Sequence, residues 1–429
     1  MNYLRIHTEL GWAIIGQGAT LIGGFFTLKV LTTLLGTQDY GRFVLGLTVA
    51  GILNLFLYGP LAQGVTRYFH IFAERAVLGT FSCLVVSLQK IFAIILIFLS
   101  VAIALWVSWK AGVDWALLIL AATGYGVAAG TLSIAMAVLG TQRKQKAYAT
   151  LQTVDMLLRL ILSILLVCAA GHNGVMAMAG FFLGSCLTML LARKFENDWT
   201  YDTQHQEITV AQLFAQGSFG REFGRYTFSF TLFAIPAAFS SFGDRWIIQG
   251  ILSDGHVGAY VALAQIANAP TNIILAIFSQ VVNPILFQRA GSASSPDTLA
   301  VGRRLLYRAL MLLVLGITAA VGASYVFAPQ IVALLTAPDF VRYSDLLWLL
   351  VLGAGIFQVA QALASEAFMF NRPSLLFFPK LVHAVIFFGL SLLFSMHWGL
   401  SGIAVAGVVA AISYLLLVAL FNAKATAKI

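Results

Sequence analysis

The chain has 429 residues, of which 60% are hydrophobic and only 10% are charged, and its mean hydropathy is +0.92. A soluble protein carries about 25% charged residues, so this composition excludes a soluble globular protein and indicates a polytopic membrane protein. The net charge of +9 is typical of some nucleic-acid-binding proteins. Here, however, the basic residues are concentrated in alternate connections between the predicted membrane spans, and no nucleic-acid partner is expected.

Apolar segments long enough to cross about 30 Å of hydrocarbon as helices recur along the chain. The predicted fold class is therefore all-α and integral to the membrane, with twelve transmembrane helices in two six-helix halves. The twelve predicted spans are residues 10–35, 41–66, 78–109, 115–139, 148–170, 174–192, 225–252, 257–288, 303–327, 344–369, 374–396 and 399–421.

The distribution of Lys and Arg predicts the orientation of these spans. Seventeen of the 25 basic residues lie at the chain ends or in the even-numbered connections, three lie in the short odd-numbered connections, and five lie within spans. Because connections rich in Lys and Arg stay in the cytoplasm, we expect both termini on the cytoplasmic side.

The longest predicted connection divides the chain into two halves. We expect an N-terminal half at residues 1–195, a cytoplasmic linker with an amphipathic segment at 196–224, and a C-terminal half at 225–429. Six spans in each half give both halves the same orientation. A weak repeat agrees with this division, since Gly41 and Gly258 occupy equivalent positions when the sequence is shifted by 217 residues.

Asp244 and Arg245 are adjacent charged residues inside the predicted seventh span, after Pro236. A charge at membrane depth costs about 3 kcal/mol or more unless it is paired, reaches the interface or faces a wet cavity. One interpretation is structural, with a neutral pair bonded to neighbouring helices. In the functional interpretation, Arg245 faces a cavity and binds an anionic group, while Asp244 tunes its charge or titrates. Adjacent helical residues point about 100° apart, which favours separate partners.

Three further charges lie within predicted spans of the first half. Lys29 lies near the outer end of span 1, and its long side chain either reaches the interface or faces a cavity. Asp155 and Arg159 in span 5 are four residues apart, so they share one face of a helix and are able to form an ion pair. That pair is either structural and self-neutralised or part of a site for an anionic group.

Two ionisable residues of the second half have simpler interpretations. Glu366 lies near the inner end of span 10, close to Arg372, and is expected to cap a helix or to form a surface ion pair. His383 lies near the middle of span 11, and we expect it to be packed and hydrogen-bonded rather than to carry protons.

The sequence contains no recognisable motif for catalysis or metal binding. It has no Walker-type nucleotide-binding motif and no HExxH motif, and its three cysteines have no paired spacing. The predicted outer connections are short, which leaves little room for a water-exposed active site. We therefore expect neither an enzyme nor a protein with a metal or another cofactor.

The chain resembles the bacterial polysaccharide (O-antigen-type) flippases of the multidrug/oligosaccharidyl-lipid/polysaccharide (MOP) exporter superfamily. The resemblance is carried by the two sets of six spans and by the segments LLGTQDYGRF at 34–43, TRYF at 66–69, GDRWIIQGILS at 243–253, VGAY at 257–260 and the span-connecting segment at 328–350. It implies a V-shaped helical bundle like that of the MATE transporters, with a central cavity between the halves.

The resemblance also implies a function and a site. Proteins of this family are thought to move undecaprenyl-diphosphate-linked sugar units, such as O-antigen or exopolysaccharide repeats, across the bacterial cytoplasmic (inner) membrane by alternating access. Arg245, Lys29 and Arg159 would hold the diphosphate, while Asp244 and Asp155 would tune the charge or couple transport. The driving force would be a gradient of H⁺ or Na⁺, or the membrane potential.

The expected partners are the lipid-linked oligosaccharide and the bilayer, with glycan polymerase and chain-length proteins as further candidates. The alternative function is a drug/cation antiporter of the same superfamily. The embedded bases disfavour it, because a cationic substrate calls for an acidic or aromatic cavity. A non-transporting scaffold for glycan polymerases is a third hypothesis. Peptidoglycan-precursor flippases, which usually have two additional spans, are less expected.

Overall fold

The structure is a computed structural model that describes residues 3–75, 77–194, 218–278, 296–369 and 373–426. These residues form helices joined by short turns, with no strand among them, so the all-α fold class predicted from the sequence is confirmed. Most of the predicted linker at 196–224 lies outside the described residues, as does Arg372.

The first part of the chain forms helices α1 (Tyr3–Leu53), α2 (Gly59–Glu74), α3 (Leu78–Ala111), α4 (Val113–Thr141), α5 (Gln145–Ala170) and α6 (Gly174–Ala192), with a π-helical segment (Asn54–Tyr58) between α1 and α2. The later part forms α7 (Ser218–Ile251), α8 (Asp254–Ile277), α9 (Pro296–Val326), α10 (Ala328–Leu335), α11 (Leu347–Leu363), α12 (Ser365–Met369) and α13 (Phe377–Thr426). Two 3₁₀ helices, Pro338–Leu346 and Pro373–Leu376, precede α11 and α13.

Eight helical stretches of the described residues are long and apolar enough to cross a membrane. Two of them, Ile15–Glu74 and Phe377–Lys424, each cover all or most of two predicted spans. Helices α7 and α8, which correspond to predicted spans 7 and 8, are not among the eight. The multi-pass membrane architecture is confirmed, whereas the number twelve stays a prediction.

Two long helices bend at single glycines. Helix α1 bends at Gly36, where φ is 66°, and α13 bends at Gly399, where φ is 56°. Glycine adopts positive φ without the steric cost that a Cβ atom imposes. The sequence predicted a break between two spans at each of these places, and both breaks are confirmed, although each is a kink at one glycine rather than a loop of several residues.

The chain divides into two compact units. The first consists of Met1–Leu35 and Arg42–Ile235, and the second of Gly36–Gly41 and Pro236–Ile429. The boundary falls inside α7 at Pro236, which has no backbone N–H and so interrupts the helical hydrogen bonds. The halves predicted at 1–195 and 225–429 stay a prediction.

Each unit has its own apolar core. In the first unit, Tyr58, Phe72, Phe81 and Phe223 are fully buried, and the Phe72 and Phe81 rings meet edge to face at 4.8 Å. This cluster joins α2 and α3 to the beginning of α7. In the second unit, buried side chains of α9, α11 and α13 pack together, with Tyr414 among the fully buried residues.

Gly41 and Gly258, the equivalent positions of the weak sequence repeat, lie against each other in the second unit. A Cβ atom on Gly41 would overlap the carbonyl of Asp254, and one on Gly258 would overlap the carbonyl of Thr37. Both positions therefore require glycine, because the backbones of the Gly36–Gly41 segment and α8 approach closely.

Candidate functional site

A cavity of about 310 Å³ lies within the second unit, between α7, α8, α11 and α13. Its volume is within the range of about 300–1,000 Å³ that is usual for small-molecule sites. The lining includes one acidic, one basic and several neutral polar side chains, namely Ser240, Ser241, Asp244, Arg245, Tyr260, Asn268, Asn272, Gln358 and His383.

Close helix packing positions α7 on one wall of this cavity. A Cβ atom on Gly243 would lie 2.9 Å from the Phe388 ring, so α7 approaches α13 closely at that point. One turn earlier, the Phe239 ring meets the Phe388 ring edge to face at 5.3 Å. Because these contacts fix the helix just before Asp244 and Arg245, both charged residues line the cavity.

Asp244 and Arg245 have different surroundings, although they are adjacent in the sequence. The Asp244 carboxylate accepts a hydrogen bond from the backbone N–H of Arg245 at 2.8 Å, and the Tyr260 hydroxyl lies near it. The Arg245 guanidinium carbon lies 5.1 Å from the centre of the Phe242 ring, which is a cation–π contact. Both side chains are half-buried. The cavity wall thus presents a guanidinium, with its five N–H donors, beside a carboxylate.

Carboxamides supply further hydrogen-bonding groups in the cavity. The Gln358 side-chain nitrogen donates to Asn272 Oδ1 at 2.6 Å. Among the described residues, Gln358 Oε1 has no hydrogen-bond partner, although this side chain is only 7% exposed. A buried acceptor without a partner costs about 1–3 kcal/mol, so a bound water or ligand that donates to Gln358 Oε1 would be stabilised here.

His383 is packed and hydrogen-bonded, as predicted from the sequence. Its Nδ1 lies 3.2 Å from the Ser240 hydroxyl oxygen, and its ring is surrounded by Phe357, Phe387 and Tyr414 at centroid distances of 4.9, 6.1 and 5.6 Å. This aromatic surrounding fixes the imidazole at the cavity wall.

Asp155 and Arg159 form an ion pair in the first unit, with Arg159 Nη2 and Asp155 Oδ2 2.7 Å apart. Arg159 Nη1 also donates to the Tyr125 hydroxyl at 2.6 Å, and the Ser185 hydroxyl donates to Asp155 Oδ1 at 2.8 Å. The Arg159 guanidinium carbon is 5.4 Å from the centre of the Phe181 ring. These contacts favour the structural interpretation of the pair, while a role of either residue in substrate binding stays a prediction.

Lys29 lies in the first unit on α1, less than two turns before the bend at Gly36. Its side chain is half-buried, and its backbone carbonyl accepts a hydrogen bond from the Thr33 hydroxyl at 2.7 Å. Both interpretations of Lys29, interfacial and cavity-facing, stay open.

The sequence did not predict an ion pair between the half-buried Arg303 and the buried Glu366. Arg303 Nε lies 2.7 Å from Glu366 Oε1, and the Asn422 side-chain nitrogen donates to Glu366 Oε2 at 3.1 Å. Glu366 is fully buried, so the expected surface pairing near Arg372 is wrong. The partners come from α9, α12 and α13, and no sequence spacing relates residues of separate helices.

The described residues hold no group of three or more His, Cys, Asp or Glu side chains that would bind a metal ion. The polar cavity of the second unit therefore combines cationic, anionic and neutral hydrogen-bonding groups without a metal-binding cluster. Such a set fits an organic ligand with several hydrogen-bonding atoms.

Solved structures share the fold of this chain. A lipid II flippase, MurJ, in an inward closed conformation aligns with a TM-score of 0.72 and 15% identity, over 97% of this chain and 87% of that chain. An inward-facing multidrug resistance MATE transporter of the MOP superfamily aligns with a TM-score of 0.62 and 14% identity, over 95% of each chain. A MATE transporter in complex with MaD3S aligns with a TM-score of 0.61 and 14% identity, over 99% of this chain and 95% of that chain. At these identities, the similarity concerns the fold alone.

Sequence comparison identifies the family. No curated protein sequence matches the chain, but the profile of the family described as "Polysaccharide biosynthesis protein" matches residues 8–289, which is more than half of the chain. Together with the fold, this match agrees with the resemblance found in the sequence. The chain belongs to the polysaccharide biosynthesis protein family and is a multi-pass membrane protein with the fold of the MOP transporters.

Proposed function

We propose that this protein is a flippase that moves undecaprenyl-diphosphate-linked oligosaccharide, such as an O-antigen or exopolysaccharide repeat, across the bacterial inner membrane. The lipid-linked oligosaccharide would move from the cytoplasmic to the periplasmic leaflet by alternating access of the protein. Both termini of the protein would lie in the cytoplasm. The observation that carries the proposal is the polar cavity around Arg245, inside the membrane-embedded fold of a polysaccharide biosynthesis protein. The protein would be a transporter and not an enzyme.

The chemistry of the cavity supports a diphosphate ligand. A diphosphate is too strongly charged to cross hydrocarbon unaided, whereas a guanidinium pairs with phosphate oxygens through two parallel N–H donors. Arg245 would hold the diphosphate, and Asn268 and Gln358 would add hydrogen bonds. Lys29 and Arg159 are further candidates for contact with the diphosphate along the transport path. The lipid tail would stay in the bilayer throughout.

The energy would come from an ion gradient or the membrane potential. Asp244 lies next to Arg245 and would set the net charge of the cavity, by binding or releasing H⁺ or by meeting Na⁺. Asp155 would have the corresponding role beside Arg159. Glycan polymerase or chain-length proteins would receive the transported unit.

Replacement of Arg245 tests this assignment. We expect Arg245→Ala to reduce export of surface glycan by about tenfold or more, because a hydrogen-bonded pair with a charged group contributes about 1.5–3 kcal/mol. Arg245→Lys, which keeps the charge but loses the two-donor geometry, should be intermediate. The measurement is surface polysaccharide in a deletion strain that carries each variant at equal membrane abundance.

Arg225→Ala is the matched control, because Arg225 is an exposed arginine on the same helix. If Arg245→Ala and Lys29→Ala both exported glycan as well as the parent, the proposed binding site would be wrong. If deletion of the protein caused drug sensitivity and left the surface glycan intact, the drug/cation antiporter would be the better account.

A further inference from the structure

A second cavity, of about 230 Å³, lies in the first unit between α1, α4 and α5. A water molecule takes about 30 Å³ in the liquid, so this space is several times larger than a single structural water requires. Its described lining contains three carboxamides, two aromatic side chains and no charged side chain, and consists of Trp12, Gly16, Gln17, Gly140, Gln145, Tyr148, Ala149 and Gln152.

The polar residues of this cavity are arranged on facing sides of two helices. Gln145, Tyr148 and Gln152 follow one another at intervals of three and four residues, so they share one face of α5. Trp12 and Gln17 contribute from α1. Hydrogen-bonding groups and aromatic rings therefore line the same small space.

Two glycines shape this space. A Cβ atom on Gly16 would lie 3.1 Å from Ala149 Cβ and 3.3 Å from Gln152 Oε1, so α1 and α5 are in close contact at one side of the cavity. A Cβ atom on Gly140 would meet no other atom within 4 Å, so the space in front of Gly140 is open. A larger side chain at Gly140 would fill the cavity without displacing the backbone.

This combination of groups fits a sugar ring. The electron-rich face of an aromatic ring attracts the C–H groups of a sugar, and a carboxamide both donates to and accepts from hydroxyl groups. An anionic ligand would call for charged groups in the lining, and none is present among the described lining residues. The exposed Lys146 places its Nζ 5.7 Å from the centre of the Trp12 ring, and this cation–π contact helps to hold the indole in position.

We propose that this cavity recognises a sugar of the lipid-linked oligosaccharide, separately from the diphosphate. The inference rests on the proposed function, because it assigns a second contact to the same substrate. The cavity lies at the end of α5 that follows Arg143 and Lys144, which is the side proposed to face the cytoplasm. The sugar would therefore be bound where the substrate first reaches the protein.

Comparison of two lipids tests this site. Purified full-length protein in nanodiscs is titrated with undecaprenyl diphosphate that carries the repeat unit, and separately with undecaprenyl diphosphate alone. We expect the parent to bind the sugar-bearing lipid more tightly by about tenfold, which corresponds to about 1.4 kcal/mol. Trp12→Ala and Gly140→Leu should bring the ratio of the two affinities close to one, while the affinity for undecaprenyl diphosphate alone stays unchanged.

Gly322→Leu is the matched control, because Gly322 is an exposed helical glycine whose Cβ would also meet no atom within 4 Å. Gly140→Leu keeps the test valid if Trp12→Ala does not fold. If the ratio of the two affinities in Gly140→Leu stayed at the parent's value, the sugar site would be wrong, while the proposed function would stand. An equal fall in affinity for both lipids would also overturn it, because the cavity would then bind the lipid headgroup. If the parent bound neither lipid, the proposed function itself would fail, and the sugar site with it.

Discussion

Arg159 and Arg245 are both arginines within predicted membrane spans, but their contacts give them different expected roles. Arg159 is held by the carboxylate of Asp155 and the hydroxyl of Tyr125, at 2.7 and 2.6 Å. Arg245 lines a cavity of about 310 Å³ together with Asp244 and neutral polar groups. Arg245 is the stronger candidate for the binding group, because its side chain lines a cavity of ligand size, whereas the Arg159 guanidinium is held in an ion pair on its own helix.

The Asp155–Arg159 pair should contribute to stability. Asp155→Ala removes one partner of a buried ion pair, which typically costs about 3–5 kcal/mol because the other charge stays buried. Ser185→Ala removes a single hydrogen bond to the same carboxylate and should cost about 1 kcal/mol. Thermal unfolding of the purified variants measures both effects. An Asp155→Ala protein that unfolds at the parent's temperature would contradict the stabilising role of the pair, and loss of glycan export in that protein would leave Asp155 with a role in transport alone.

At the scale of single residues, the sequence predicts contacts within one helix and not contacts between helices. Spacing alone placed Asp155 and Arg159 on one helix face, and the structure shows the ion pair. The pairing of Glu366 with Arg303, and the hydrogen bond from Gln358 to Asn272, join separate helices. Helix packing decides such pairs, and hydropathy contains no information about which helix faces meet.

At the scale of the elements, glycines decide where helices bend and where they touch. The kinks at Gly36 and Gly399 separate helices where the sequence predicted short connections between spans. A short polar segment with a glycine is compatible with either a loop or a bend, so the sequence could not distinguish the two. The contact between Gly41 and Gly258 gives a structural reason for glycine at both positions of the weak repeat.

Alanine substitutions should separate a packing glycine from an unconstrained one. Gly258→Ala places a methyl group against the Thr37 carbonyl, and overpacking of this kind costs about 1–3 kcal/mol. Gly322→Ala lies inside α9, meets no atom within 4 Å and should stabilise the helix by about 0.5–1 kcal/mol. Unfolding midpoints of the two variants should therefore move in opposite directions. Equal stability of Gly258→Ala and the parent would contradict the close packing of α8 on the Gly36–Gly41 segment.

At the scale of the whole molecule, composition and the hydropathy pattern are enough to predict an all-α multi-pass membrane protein. The family match over residues 8–289 and the shared MOP fold agree with that prediction. The count of spans is harder, because α7 and α8 are not among the eight stretches of the described residues that are long and apolar enough to cross a membrane. Helix α7 also carries Asp244 and Arg245, which line the proposed site.

The most direct test of flippase activity is to measure on which side of a vesicle membrane the sugar of the lipid-linked oligosaccharide is exposed. Vesicles with and without the protein are loaded with the lipid-linked repeat unit, an ion gradient is imposed, and a membrane-impermeant glycosidase reports the sugar exposed on the opposite side over time. We predict exposure that depends on the protein, is reduced by about tenfold in Arg245→Ala, and is unaffected by Arg225→Ala. The same slow exposure with and without folded protein, under an imposed gradient, would contradict the flippase account.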